Sequence, residues 1–242
     1  MFIPNGQLYY DTPVGVLCLD TQFAKPVGQL RNPLTFPFPV VCRVLPGIGA
    51  AEIFAGSAEL GRVMVETARQ LEKEGVQAIA GSCGFMALYQ KQVAAAVRVP
   101  VLMSSLMQLP LIRTLHGEAS RLGVLTAQSK ALTREHFRQA GVTDALYDSL
   151  LIRGMEDSPY FRSVILECAT PGMDTDRLGE EIVEMATRMV REGNLDALLF
   201  ECTDLCAFAH DVQRATGVPV YDINALVEYA AFCVRRKAYI NK

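Results

Sequence analysis

Two cysteines occupy the same place in two copies of one sequence pattern. Residues 78–84 align without a gap on residues 197–203, and this alignment places Cys83 opposite Cys202. Each cysteine follows an apolar run and precedes a helical pattern, so each thiol is expected at the carboxyl end of a strand, where ligands bind in parallel α/β sheets. Two copies are too few for a stacked array and predict two related lobes.

These positions favour acid–base chemistry by the two thiols. A helix N-terminus has free N–H groups and partial positive charge, which we expect to lower the pKa of a thiol and to bind a substrate carboxylate. Thiols on opposite walls of a cleft suit one reaction in particular. One thiolate removes a proton next to the carboxylate, and the other thiol protonates the opposite face. We therefore predict cofactor-independent racemisation by Cys83 and Cys202, with substrate contacts from the adjacent Ser82, Gly84 and Thr203.

Short apolar runs alternate with helical patterns along the chain, and this alternation indicates βαβ units in an α/β fold. We expect two pseudo-symmetric three-layer lobes with mostly parallel sheets and the active site in the cleft between them. The predicted strands are 14–20, 39–45, 76–82, 101–104, 122–126, 145–152, 197–201 and 220–223. The predicted helices are 52–74, 86–97, 132–140, 178–192, 205–216 and 225–237.

The crossover between the lobes is expected at residues 109–120, where Pro110, His116 and Gly117 interrupt the pattern. If the last strand and helix pack back on the first lobe, that lobe comprises residues 1–112 plus 222–242, and the second comprises 113–221. Residues 25–39 contain too many prolines for a helix or a central strand. This segment is either a rim over a ligand or a surface excursion.

Composition limits the classes of partner. The chain has 242 residues and is 50% hydrophobic, so it can bury a full core. Its net charge is -3, and acids and bases are intermixed along the chain, so no basic stretch is available to bind the phosphate backbone of nucleic acid. No apolar run reaches the roughly 18–20 residues that span a bilayer. Seven cysteines without a framework, and a start without a signal pattern, predict a cytoplasmic protein. We expect a small carboxylate substrate and a homo-oligomer, without nucleic acid or membrane.

Two other kinds of site and one other class of function compete with this interpretation. Cys202, Cys206 and His210 share a helix face, but a structural zinc site requires four ligands, so we predict no metal. Gly47 and Gly49 begin a dinucleotide fingerprint whose third glycine is absent, and no other cofactor motif occurs, so we predict no cofactor. A two-lobed protein that binds a small acid without catalysis is the remaining alternative.

At these cysteines the chain resembles the aspartate/glutamate racemase superfamily, which includes hydantoin racemases, maleate isomerases and arylmalonate decarboxylases. The resemblance covers nearly the whole length and rests on residues 15–21, 82–85, 100–105, 123–126, 201–204 and 216–220. It implies a pseudo-symmetric two-lobed fold in which Cys83 and Cys202 are the acid/base thiols. It further implies main-chain donors for the carboxylate at Gly84, Phe85, Thr203 and Asp204, and polar positions at Asp20, Ser105 and Thr126.

Within this superfamily, residues 32–36, 83–86 and 103–110 also resemble the algal type of dimethylsulfoniopropionate lyase. That resemblance implies β-elimination with Cys202 as the base and Cys83 at most binding substrate. The chain has Cys206 and Ala207 where such relatives often carry two prolines. The sequence thus predicts an amino-acid racemase or isomerase, with the lyase as the alternative and a binding protein as the second alternative.

Overall fold

The strands of the protein form two parallel sheets of the same topology. The computed structural model describes residues 5–238, and within them each sheet has four strands. The first sheet has the order β2-β1-β3-β4, with β1 Val14–Leu19, β2 Val40–Leu45, β3 Ile79–Gly81 and β4 Val101–Leu102. The second has the order β6-β5-β7-β8, with β5 Leu122–Thr126, β6 Leu151–Gly154, β7 Ala197–Phe200 and β8 Val220–Tyr221. The predicted α/β fold with two related lobes is confirmed.

Helices flank both sheets. In the first half of the chain they are α1 Ala50–Ala55, α2 Ala58–Glu74, α3 Gln90–Ala94 and α4 Leu109–His116, with 3₁₀ helices at Gly84–Tyr89 and Ser105–Gln108. In the second half they are α5 Arg134–Gln139, α6 Asp144–Asp148, α7 Pro159–Phe161, which continues as a π-helical turn at Arg162–Leu166, α8 Thr175–Gly193, α9 Ala209–Thr216 and α10 Ile223–Val234, with a 3₁₀ helix at Thr203–Phe208. Within residues 5–238, no helix is both long and apolar enough to cross a membrane.

Burial explains how the layers assemble. Strands β1 and β5 are buried along their whole length, as expected for central strands of parallel sheets that are covered on both faces. One apolar cluster runs continuously from the first sheet into the second, through Leu17, Phe85 and Val124. The last helix, α10, contributes Val227 to the apolar cluster that contains Val14 of the first sheet. The lobe boundaries at 112/113 and 221/222 stay a prediction, and residues 1–4 and 239–242 of the proposed first lobe lie outside the described residues.

Two predicted segments differ from the structure, and a third, the crossover between the lobes, contains a helix. Residues 145–152 were expected to form one strand, but Thr143 accepts a hydrogen bond from the Leu146 N–H and begins α6, so β6 starts only at Leu151. The predicted helix 52–74 is two helices, because Ser57 caps a new helix by accepting from the Leu60 N–H. The expected crossover at 109–120 contains α4, since Pro110 lies in a first turn that needs no N–H at that position.

Candidate active site

The two cysteines lie in equivalent turns of the two lobes. The last ladder bonds before them run from the Ser82 N–H to the Leu17 carbonyl at 2.9 Å and from the Glu201 N–H to the Leu125 carbonyl at 2.8 Å. Cys83 and Cys202 come next and cap the 3₁₀ helices that begin at Gly84 and Thr203. The duplicated strand ends thus deliver one thiol from each lobe.

Both thiols line one cavity between the lobes. The empty space in it, counted out to its mouth and with the open solvent there included, is about 520 Å³. Its apolar walls are Leu19, Phe23, Ala50, Phe54, Phe85, Ala127, Ile165 and Leu166. Its polar lining, besides the two cysteines, consists of Thr21, Lys25, Gln29, Arg31, Ser82, Glu201, Thr203 and Asp204.

Two reciprocal hydrogen bonds connect the lobes beside the thiols. The Thr203 hydroxyl donates to the Ser82 carbonyl at 2.6 Å. The Ser105 hydroxyl donates to the Phe200 carbonyl at 2.7 Å. All of these groups are buried. Loss of either bond would leave a polar group without a partner and away from water, which destabilises the folded protein. Each lobe therefore fixes the backbone just before the cysteine of the other lobe.

The expected low pKa of the thiols is wrong for this structure. Burial raises the pKa of Cys83 and Cys202, and nearby carboxylates raise it further, first Glu201 for Cys83 and first Asp204 for Cys202. The main-chain N–H groups of Phe85 and Asp204 stabilise the respective thiolates but are outweighed. Because loss of solvation disfavours the charged form more than one N–H favours it, both cysteines are neutral thiols at rest.

The segment 25–39 forms a rim of the cavity. The Lys25 ammonium lies 3.4 Å from a carboxylate oxygen of Asp204, which also accepts from the Gln29 amide at 3.1 Å. Arg31 donates to the Leu19 carbonyl at 3.0 Å. Of the two interpretations of this segment, the structure supports the rim. Sequence analysis did not select Lys25, Gln29 or Arg31. The sequence shows them only as polar residues within an irregular segment, which does not indicate that they line a cavity.

The rim packs against the 3₁₀ helix that follows Cys202. Gly28 has φ 98°, and a Cβ there would lie 2.6 Å from Cα of Ala207. The Gly28 carbonyl accepts from the Asn224 amide at 2.6 Å. Only a glycine permits this approach, and Ala207 is one of the two positions at which the chain departs from the lyase pattern.

Glu201 is a cavity residue that sequence analysis missed. It is 1% exposed, although glutamate is rarely buried without a partner. Its Oε2 accepts a hydrogen bond from the Thr126 hydroxyl at 2.6 Å, whereas Oε1 is buried with no hydrogen-bond partner among the described residues. Burial raises its pKa to about 7. The available signal was a charged residue at the end of an apolar strand.

Most of the predicted site residues converge. Ser82, Cys83, Phe85, Cys202, Thr203 and Asp204 line the cavity. Gly84, Ser105 and Thr126 lie behind its wall. A side chain at Gly84 would collide with Glu201, Ser105 bonds the Phe200 carbonyl, and Thr126 holds Glu201. They are therefore supporting residues and not lining ones.

Asp20, in contrast, is not brought to the cavity. It is exposed, and its carboxylate accepts from the Gly47 N–H at 3.0 Å, so it stabilises the turn after β2. The residues of the metal alternative do not converge either. Cys206 is buried against the α10 cluster and His210 is exposed, and the described residues contain no group of three or more His, Cys, Asp and Glu side chains suited to a metal ion.

Known proteins resemble this chain in sequence and in fold. The model of the Asp/Glu/Hydantoin racemase family matches residues 40–230. A dimethylsulfoniopropionate lyase of Durusdinium sp. clade D is 31% identical over 218 residues, which cover 86% of this chain and 70% of that protein. Dimethylsulfoniopropionate lyase 3 of Emiliania huxleyi (strain CCMP1516) is 28% identical over 218 residues, and the chain spans only 56% of its length. Unliganded arylmalonate decarboxylase has the same fold, with a TM-score of 0.56, 18% identity and 94% coverage of both chains.

Proposed function

Because the chain belongs to the Asp/Glu/Hydantoin racemase family, we propose that it is a cofactor-independent enzyme in which a cavity thiol removes a proton next to a substrate carboxylate. Within this chemistry we propose β-elimination from a β-sulfonium carboxylate such as dimethylsulfoniopropionate, the substrate in the names of its curated relatives. The observation that carries this choice is the asymmetry of the cavity. Cys202 follows Glu201 and stands two residues before Asp204, whereas the residues at the same positions around Cys83 are Ser82 and Phe85.

Elimination requires one base, and an asymmetric pair of thiols is suited to it. The Cys202 thiolate takes the proton from the carbon next to the carboxylate. The electrons of that C–H bond form the carbon–carbon double bond, and the electrons of the C–S bond leave with the sulfur. The products are dimethyl sulfide, acrylate and the neutral Cys202 thiol, which is the resting form and gives its proton to solvent when the next substrate enters.

Arg31 is our candidate for the substrate carboxylate. Its guanidinium lines the cavity and forms no ion pair with any described residue, because its bonds go to Leu19 and Thr21. The N–H group of Thr203, where the 3₁₀ helix at the cavity begins, adds a donor for the same anion. This arrangement orients the acidic C–H bond of the substrate toward the thiols.

The raised pKa of Cys202 gives the substrate a second role. A neutral thiol is a poor base, so it must ionise when the substrate enters. A positive charge about 4 Å from the sulfur contributes about 4 kcal/mol at an effective dielectric constant of about 20, equivalent to about three pKa units. The sulfonium group of the substrate therefore helps to form the Cys202 thiolate that removes a proton from that same substrate.

Racemisation of an amino acid or a related carboxylate is the second candidate. Its specific support is that Cys83 and Cys202 come from different lobes and line the same cavity. Two-base racemisation requires an acid on each face of the carbanion, so it makes both thiols essential.

The test is to assay wild type, Cys83→Ser and Cys202→Ser with dimethylsulfoniopropionate, aspartate, glutamate and a hydantoin. Chirality, deuterium uptake from heavy water and dimethyl sulfide are followed together, with Cys233→Ser as a control at an exposed cysteine. We expect sulfide release that is lost in Cys202→Ser and retained at least in part in Cys83→Ser. Racemisation lost in both variants would replace the lyase by the isomerase. Absence of proton exchange with every substrate would leave only a binding protein.

A further inference from the structure

The charges in the cavity are not all paired. The charged side chains that line it, among the described residues, are Lys25, Arg31, Glu201 and Asp204. Lys25 and Asp204 form an ion pair at 3.4 Å. Arg31 and Glu201 have no ion-pair partner within the part of the chain that the structure describes. The cavity therefore has one positive and one negative group left for a ligand, a complement to a small zwitterion.

Glu201 is the more unusual of these two groups. A buried carboxylate normally satisfies both oxygens, because an unpaired buried acceptor costs its full desolvation energy. Here Thr126 satisfies Oε2 only, and Oε1 lies against Gly84 without a hydrogen-bond donor. The other titratable or charged groups around it are Cys83, Cys202, Asp204 and Lys25, and Lys25 is already committed to Asp204.

We propose that the charge of Glu201, whose carboxylate lies at the cavity wall against Gly84 and Thr126, attracts the positively charged group of the substrate and selects carboxylates that carry an onium group over carboxylates of the same shape without one. This inference rests on the proposed function only in placing the substrate in this cavity. The cavity walls support it, since the rings of Phe54 and Phe85 both line the cavity and meet edge to face at 4.6 Å, whereas the ring of Phe23 is already covered by the Lys25 ammonium. Aromatic walls attract weakly hydrated cations.

The proposal has a thermodynamic signature that needs no turnover. With a pKa of about 7, the Glu201 carboxyl is about half protonated in the free protein at neutral pH. A bound cation favours its ionised form, so binding should release about half a proton at neutral pH. A carboxylate of the same shape without the cationic group should release none from Glu201.

The experiment is titration calorimetry of wild type with two unreactive isosteres, N,N-dimethyl-β-alanine, which is cationic at its amine, and 4-methylpentanoate, which is not. Paired buffers of different ionisation enthalpy give the protons released. We expect at least tenfold tighter binding of the cationic probe and release of about half a proton. In Glu201→Gln the preference and most of the proton release should disappear, while affinity for 4-methylpentanoate stays within about twofold.

Equal binding of both probes by wild type, or binding of neither, overturns the proposal, as does a Glu201→Gln protein that keeps the wild-type preference. Because a bound cation also favours ionisation of the Cys202 thiol, the proton release is read in a Cys202→Ser background, where it decides the matter even if Glu201→Gln does not fold. The two proposals fail separately. Sulfide release that depends on Cys202, with an unchanged preference in Glu201→Gln, removes this inference alone. A preference lost in Glu201→Gln, in a protein that releases no sulfide, removes the lyase alone.

Discussion

Replacing Glu201 by Gln should stabilise the protein at alkaline pH and leave it nearly unchanged at acidic pH. The folded state raises the pKa of this carboxyl from 4.5 to about 7, because burial disfavours the charge. A group with a raised folded pKa supports folding fully below its unfolded pKa and loses that support as the pH rises through the folded value. At about 1.4 kcal/mol per pKa unit, the ionised carboxyl costs wild type about 3 kcal/mol at high pH. A glutamine has no such proton to lose, and its amide oxygen can still accept from Thr126.

Urea unfolding followed by circular dichroism measures this difference across a pH series from about 3.5 to about 8.5. The stability of Glu201→Gln relative to wild type should rise from near zero to about 3 kcal/mol, with most of the rise between the two pKa values. Glu66→Gln, an exposed position on α2, is the matched control and should follow wild type throughout. A difference between Glu201→Gln and wild type that stays below about 0.5 kcal/mol at every pH would refute the burial of this carboxyl.

Three further predictions concern the thiols and the contact between the lobes. Iodoacetamide near neutral pH should label the exposed Cys42 before Cys83 and Cys202, because a hydrogen bond from Cys18 and the charge of Arg31 lower the pKa of Cys42 to about 7; peptide mass mapping that finds Cys202 labelled first would contradict this. Ser105→Ala should lose about 1–3 kcal/mol in urea unfolding and lower kcat more than it changes KM, since Ser105 touches the Phe200 carbonyl and not the cavity. Gly84→Ala should lower the free energy of unfolding by about 1–3 kcal/mol, because its Cβ would collide with Glu201. Gly172→Ala, which has open space around it, should leave the free energy of unfolding unchanged. Equal stability of the two variants would show that the lobes do not meet as described.

The fold could be predicted from sequence wherever one local pattern decided the structure. The strands at Val14–Leu19 and Leu122–Thr126 are continuous apolar runs, and the structure has them at or within one residue of the predicted bounds. The segment 145–152 failed because its spacing suits a helix or a strand, and the choice depends on the cap at Thr143. Apolar periodicity does not report such a cap, whose hydrogen bond is a local side-chain contact.

The candidate site likewise contains residues that could be predicted from a local sequence pattern and residues that could not. The positions of Cys83 and Cys202 could be predicted because the repeat marks equivalent strand ends. Glu201 and Arg31 could not, since burial of a carboxylate and the folding of an irregular rim over a cavity are properties of tertiary structure. The pKa of the thiols was predicted in the wrong direction for a related reason. The N–H groups at a helix start are a local feature, but the desolvation that outweighs them depends on the packing of both lobes.

The difference between the two copies carries more functional information than their likeness. Duplication places a thiol after β3 and another after β7, and the preceding residue has the same main-chain bond in each lobe. That residue is Ser82 in one lobe, where its hydroxyl is satisfied by the Leu19 N–H at 3.0 Å. In the other lobe it is Glu201, which keeps one oxygen unpaired. Symmetry therefore explains why two thiols line the cavity, and the one difference at the preceding residue places a carboxyl group beside only one end of the repeat. A substrate with a carboxylate at one end and a positive group at the other can then bind in only one direction, which determines which thiol meets its acidic C–H bond.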